Sequence, residues 1–388
     1  MAVSRRGFLA GSAGVASLSM LAACADEPEA PPLPLREATV DFHGTHQAGV
    51  ATPAQASLNL IGFNLKDGAG EKAVMRLMRL WTEDARRLTN GQNPLGSLEP
   101  EMTAWPANLT FTCGFGEGLF RAAGLEKPEW LHDIPAMTRD NLDPKWGQTD
   151  LVLQICCDDP VMGAWAMRHM TRAGVDYVET AWVQQGFVNA YGATPEGETP
   201  RNLFGQVDGT VNPYTEEEFD EQVWIPSGPF AGGTSLVVRR IAMNLDEWEL
   251  LDRRSREESV GRTLDTGAPL TGGDEFSEPD FEARDEYGLP VIDRNSHMAR
   301  AREVGTKILR RPYNYNLPPE PGSGELSNAG LVFMSYQRDP DESFTPMLKH
   351  LDEVDRLNEW ITHIGSAVYY IVPGVGESDY WGQSLLEA

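Results

Sequence analysis

The strongest constraint on this chain is an order of strands and helices that can be read twice. From residue 57, SLNLIGFNLK alternates as a strand, and EKAVMRLMRLWTEDARRL sets Val74, Leu77, Met78 and Trp81 at helical spacing. ANLTFTCGFG is a second strand with Leu109, Phe111 and Cys113 on one face, and TDLVLQICCDD is a third, apolar almost throughout. PVMGAWAMRHMTRAG opens on Pro and closes on Gly, as helices do, and VDYVETAWVQQGF is a final strand. The order β-α-β-β-α-β is that of a ferredoxin-like unit.

The second half repeats it. TSLVVRRIAMN is a strand and LDEWELLDRRSREESVGR a helical stretch; KILRRPYNY and AGLVFMSYQR are strands. SFTPMLKHLDEVDRLNEWITHIG then reads as one long helix closed by Gly365, followed by the strand SAVYYIVPG. The predicted fold class is therefore α+β, with duplicated ferredoxin-like units packed as a dimeric α+β barrel. Domain limits are expected at 41–215 and 216–388. A polar, Gly-rich insertion at roughly 262–306 interrupts the second copy, and inserted loops on a rigid scaffold are where sites are carried.

The N-terminus belongs to neither copy. Arg5 and Arg6, followed by Phe8 and Leu9 and a mildly apolar run from Gly7 to Ala23, have the form of a twin-arginine export signal. Leu21-Ala22-Ala23-Cys24 resembles a lipobox, so 1–24 is expected to be a leader with Cys24 lipidated as a membrane anchor. Residues 25–40, rich in Pro and acidic residues, read as an extended tether, with the folded part starting near residue 38. The expected location is extracytoplasmic, in the cell envelope. This export route carries folded proteins, which hints at a prosthetic group.

Charge and cysteine usage narrow the function. The formal net charge is −26, and loss of the leader removes two arginines more, which argues against nucleic acid and anionic bilayer surfaces as partners. Beyond Cys24 only Cys113, Cys156 and Cys157 remain, which make no disulfide framework. CxxCH, CxxC and HExxH are all absent, excluding covalent c-type haem and the common zinc sites.

Three residues then form a small chemical set. NLFGQVDGTVNP is a turn signal around Asp208. Among seven histidines, His297 stands out because Asn295 and Ser296 can cap a short helix that places it in the first turn. Arg310 follows thirteen residues later on a predicted strand. A haem peroxidase needs an axial imidazole, an acid/base that shifts a proton between the oxygens of peroxide, and a fixed positive charge. The same three residue types also make structural salt-bridged clusters.

The motifs resemble those of the dye-decolorizing peroxidases. NLFGQVDGTVNP is similar to the GxxDG signature of that family, NSHMARAR to its proximal-histidine segment, and ILRRPYNY to its distal-arginine strand. THQAGVATPAQ, FTCGFGEGLF, LVVRRIAMNLDEW and GRTLDTGAPLTGGDEF also have counterparts, so the resemblance runs from about residue 40 to the C-terminus. It implies b-type haem held in the second unit, with His297 as iron ligand and Asp208 as distal acid/base. It makes Arg310 the distal arginine, with Arg311 as the alternative. Gly209, Thr210 and Val211 would lie against the haem, and Arg302 would meet a propionate. A carboxylate should hold the proximal imidazole; Glu359 is the candidate by position in the final helix, with Asp355 the alternative. Gln206, Val207 and Pro312 depart from the usual residues.

The activity implied is reduction of hydrogen peroxide through a ferryl intermediate, with oxidation of bulky, aromatic, dye-like reductants. A carboxylate base favours an acidic optimum. The alternative is a haem- or iron-handling protein of an iron-uptake system, similar to a deferrochelatase, with incidental peroxidase activity. A homo-oligomer is expected.

Overall fold

The computed structural model describes residues 34–194 and 198–388. The expected leader, 1–24, and the start of the expected tether lie outside the described residues. The tether ends sooner than expected: Leu35 already packs on the core, its carbonyl accepts from the Ala107 amide, and Ala38 is buried.

The first half contains β1 (Ser57–Leu65), α1 (Glu71–Thr89), β2 (Thr110–Phe115), α2 (Glu117–Ala123), β3 (Leu151–Cys157), α3 (Pro160–Ala173) and β4 (Val178–Phe187). The second half contains α4 (Glu216–Gln222), β5 (Thr234–Met243), α5 (Leu245–Trp248), α6 (Arg253–Val260), α7 (His297–Glu303), β6 (Leu309–Arg310), β7 (Tyr313–Leu317), β8 (Asn328–Gln337), α8 (Phe344–Val354), β9 (Ile361–Ile371) and α9 (Gln383–Leu386).

The helices form for local reasons that the sequence displays. In α1 the stripe Val74, Leu77, Met78, Trp81, Ala85 and Leu88 is fully buried, while Glu71 and Arg86/Arg87 complement the helix dipole at its two ends. In α3 the Asp159 carboxylate accepts from the amides of Val161 and Met162, and Pro160 supplies a first-turn residue with no N–H to satisfy.

Strand order follows 4-1-3-2 in each half: β4-β1-β3-β2, and β9-β5-β8 with β6 and β7 sharing the outer position. The two sheets join at both edges. Gly114 of β2 pairs with Ile371 of β9, and Phe187 of β4 pairs with Asn314 of β7, so the sheet closes into an antiparallel barrel. Closure removes the exposed edges a four-stranded sheet would have, except at the short β6, which pairs with β8 alone. Period-two alternation then sorts side chains into two cores. Leu58, Leu60, Val152, Cys156, Met334 and Tyr336 fill the barrel interior, whereas Ile61, Phe63, Leu153 and Phe111 face the helices outside.

The halves differ on the outer face, and that difference makes the site. Helices α1 and α3 cover the sheet of the first half. In the second half the expected helix after β5 breaks at Leu250–Asp252 into α5 and α6, because Asp252 caps a new helix. The chain then runs through loops to α7, leaving the outer face of β5 and β8 only partly covered. The final helix is also shorter than expected. It stops at Val354, residues Arg356–Glu359 form a single 3₁₀ turn, and Gly365 sits inside β9 opposite Arg240.

Candidate active site

The uncovered face of the second sheet is the floor of a cavity of ≈ 410 Å³. Its apolar walls include Val211, Ile241, Leu331, Phe333 and Leu351, and among its polar lining residues are Asp208, Arg262, His297, Arg302 and Arg310. A cavity of this size with few convergent polar groups is typical of cofactor sites.

Asp208 occupies the turn that its sequence announced. Gly205 and Gly209 flank it at φ +80° and +136°, a backbone that side chains other than hydrogen disfavour, and an Arg201–Val207 bridge closes the turn. One carboxylate oxygen lies 3.1 Å from Arg310 Nη1, and the other accepts from Asn202 Nδ2 at 3.3 Å. Thr210 and Val211 line the cavity; Gly209 is not among its lining residues. Thr210 also donates from Oγ1 to Glu275 at 2.9 Å, which pins the insertion to the turn.

The tandem arginines separate because a strand alternates. Arg310 faces the cavity. Arg311 points into the barrel interior, where it donates to the Thr52 carbonyl and to the Gln55 side chain. Only Arg310 is available to the site.

His297 is the first residue of α7 and lines the cavity. Its Nδ1–H donates to Asp355 Oδ2 at 2.6 Å, which fixes the tautomer and leaves the Nε2 lone pair for another partner. Burial disfavours the imidazolium, but the Asp355 carboxylate outweighs it and raises the imidazole above its ordinary value. The expectation of Glu359 in this role is corrected. Because α8 ends at Val354, Glu359 is turned out to solvent, and the buried Asp355 faces the ring with its second oxygen held by the Leu357 amide.

Arg302 lines the cavity too, pairing through Nη1 with Glu278 at 2.7 Å while its buried Nε has no partner among the described residues. The sequence reading missed Arg262, which is buried, lines the cavity, and bonds the carbonyls of Gly267 and Glu275. It also missed His363. This ring lines the cavity and accepts at Nδ1 from Arg239 Nε at 3.0 Å, and Arg239 is in turn paired with Asp140.

Two family models match most of the chain. The model described as Dyp-type peroxidase, N-terminal, matches residues 47–188, and Dyp-type peroxidase, C-terminal, matches residues 199–376. The chain belongs to the DyP-type peroxidase family. It is 36% identical to a dye-decolorizing peroxidase of Thermobifida fusca over 423 residues, covering 99% of this chain and 97% of that one. It is 32% identical to the deferrochelatase of Escherichia coli K12, covering 89% and 86%. The crystal structure of a DyP-type peroxidase from Cellulomonas bogoriensis superposes with a TM-score of 0.88 at 45% identity, covering 92% of this chain and 100% of that one. Ferric DtpA from Streptomyces lividans gives the same TM-score and coverage at 37% identity.

As a DyP-type peroxidase the chain is a haem enzyme, and the cavity fits that cofactor. One imidazole with its Nε2 unengaged suits iron whose other ligands come from a macrocycle. The apolar walls suit the porphyrin, and the unpartnered Nε of Arg302 offers a charged donor for one of its carboxylates.

Proposed function

We propose that this DyP-type peroxidase activates hydrogen peroxide through Asp208 and Arg310, with His297 as the iron ligand and Asp355 orienting it. The observation that carries the reading is the Asp208–Arg310 pair at 3.1 Å, lining the same cavity as the His297–Asp355 pair. Bound haem would supply the iron that polarises peroxide and would store the two oxidising equivalents that peroxide delivers until they pass to the reductant. The chain's own groups do the rest. An Asp208 carboxylate oxygen takes the proton from one peroxide oxygen and returns it to the other, so that water can leave. Arg310 offsets the negative charge that grows as the O–O bond breaks. Asp355 strengthens the donor character of His297 by holding Nδ1–H.

The reductants are bulky aromatic, dye-like molecules, oxidised best at acidic pH; the relative from Thermobifida fusca, matched over almost its entire length, supports this choice. Mixing the protein with one equivalent of hydrogen peroxide tests the residue roles. The Soret band should shift rapidly in the wild type and about 10²-fold more slowly or worse in Asp208→Asn. An equal rate in the variant would remove Asp208 from the step. His297→Ala should bind haem far more weakly.

The resemblance to deferrochelatases favours a second role in iron supply. Accumulation of fluorescent metal-free porphyrin from added haem would support it. Export and anchoring through Cys24 form a further part of the proposal, supported by the Arg5-Arg6 leader and the lipobox. Lipid-precursor labelling that persists in Cys24→Ala would refute the anchor.

A further inference from the structure

Strand β6 is too short to hold its own register. Arg310 ends the two-residue β6, has a strand neighbour on one side only, and is followed within two positions by Pro312, which has no N–H to give. The outward amide and carbonyl of Arg310 would have no ladder partner. Both are met by one side chain. Arg310 N–H donates to Asn212 Oδ1 at 2.9 Å, and Asn212 Nδ2 donates to the Arg310 carbonyl at 2.7 Å. An Asn amide carries a donor and an acceptor side by side, like a peptide, and can stand in for one residue of a neighbouring strand.

Asn212 belongs to the same turn as Asp208, its own amide donating to the Gly209 carbonyl at 3.0 Å. The turn and the strand are therefore joined twice, once through the Asp208–Arg310 ion pair and once through the Arg310 backbone. Asn212 is not a cavity-lining residue, so it acts through its neighbours. We propose that Asn212 is a positioning residue for peroxide activation, clamping the Arg310 backbone so that its guanidinium stays against Asp208. An ion pair alone leaves a long arginine side chain free to follow a sliding strand, whereas a two-point backbone clamp does not. Misplacement of such a group by about 1 Å can cost on the order of 10²-fold in rate.

This inference rests on the roles proposed for Asp208 and Arg310, and the experiment separates the two. The rate of the peroxide-induced Soret shift and kcat/KM for peroxide are measured from pH 4 to 7 for haem-loaded wild type, Asp208→Asn, Asn212→Ala and Asn212→Asp. Asn212→Ala should lose about 10- to 100-fold in kcat/KM for peroxide while keeping its haem, its resting spectrum and its KM for the reductant. Asn212→Asp should recover towards wild type as pH falls, because a protonated carboxyl restores both bonds and an ionised one cannot donate. Asp208, Arg310 and Glu275 are shared by wild type and both Asn212 variants, so their rate ratios isolate position 212. Asn212→Ala within about twofold of wild type would overturn the inference. So would Asn212→Asp tracking Asn212→Ala at every pH, or haem loss in both variants, which would make the role structural. An unaffected Asp208→Asn would instead overturn the underlying reading.

Discussion

Asp355 and Arg239 show how differently two neighbours can set an imidazole. The carboxylate beside His297 raises it, whereas burial, with Arg239 donating to the ring, pushes His363 down from 6.5 to about 3. A histidine held neutral by the fold adds stability that is fully present above its unfolded value and fades as pH falls towards its folded one. At pH 5 the unfolded chain protonates this site and the native chain does not, a cost of about 2 kcal/mol. Thermal unfolding of the wild type should therefore be more acid-sensitive between pH 7 and 5 than that of His363→Gln; parallel curves would contradict a neutral His363. Asp355→Asn should weaken haem retention by about 10- to 100-fold, read as faster transfer to apomyoglobin. The candidacy of Asp208 and His297 was readable from residue type in context. Asp355 over Glu359 was not, because the choice depends on where α8 stops.

That stop is decided at the scale of elements. The run from Phe344 to Gly365 has enough apolar residues at helical spacing to continue as a helix, but THIGSAVYY also alternates, and the strand reading wins because β9 closes the sheet between β5 and β2. Gly365 is the price of that placement: a Cβ there would lie 2.7 Å from Trp146 Cβ and 3.0 Å from the Trp146 carbonyl. Gly365→Ala should lower stability by about 1–3 kcal/mol, visible as a lower denaturant midpoint at unchanged slope. The choice between Arg310 and Arg311 belongs to the same scale. Alternation dictates that the two face opposite ways, but only the sheet defines which way is the cavity.

Over the whole molecule, the barrel makes the two halves one unit. Asp140, from the loop before β3, pairs with Arg239 on β5, and both side chains are almost completely buried. Thr138 and Arg139 on the same loop donate their amides to Asp352 of α8. The first half thus closes one side of the cavity built by the second. Breaking the buried pair with Asp140→Asn should cost about 3–5 kcal/mol. Fluorescence and haem absorbance should still report one coincident unfolding transition, since neither sheet keeps its edges paired without the other. Two separated transitions would mean that the halves are independent.

The sequence by itself determined the duplicated α+β order, the apolar faces of each strand and the glycine-flanked turn at Asp208, because these follow from local periodicity and backbone sterics. Tertiary structure alone decided that the two sheets share a barrel, that the second lacks the helix cover that would fill its cavity, and that Asp355, Arg262 and Asn212 stand where they do. Those outcomes depend on contacts between segments tens to hundreds of residues apart, and no local pattern records which distant neighbour a side chain will meet.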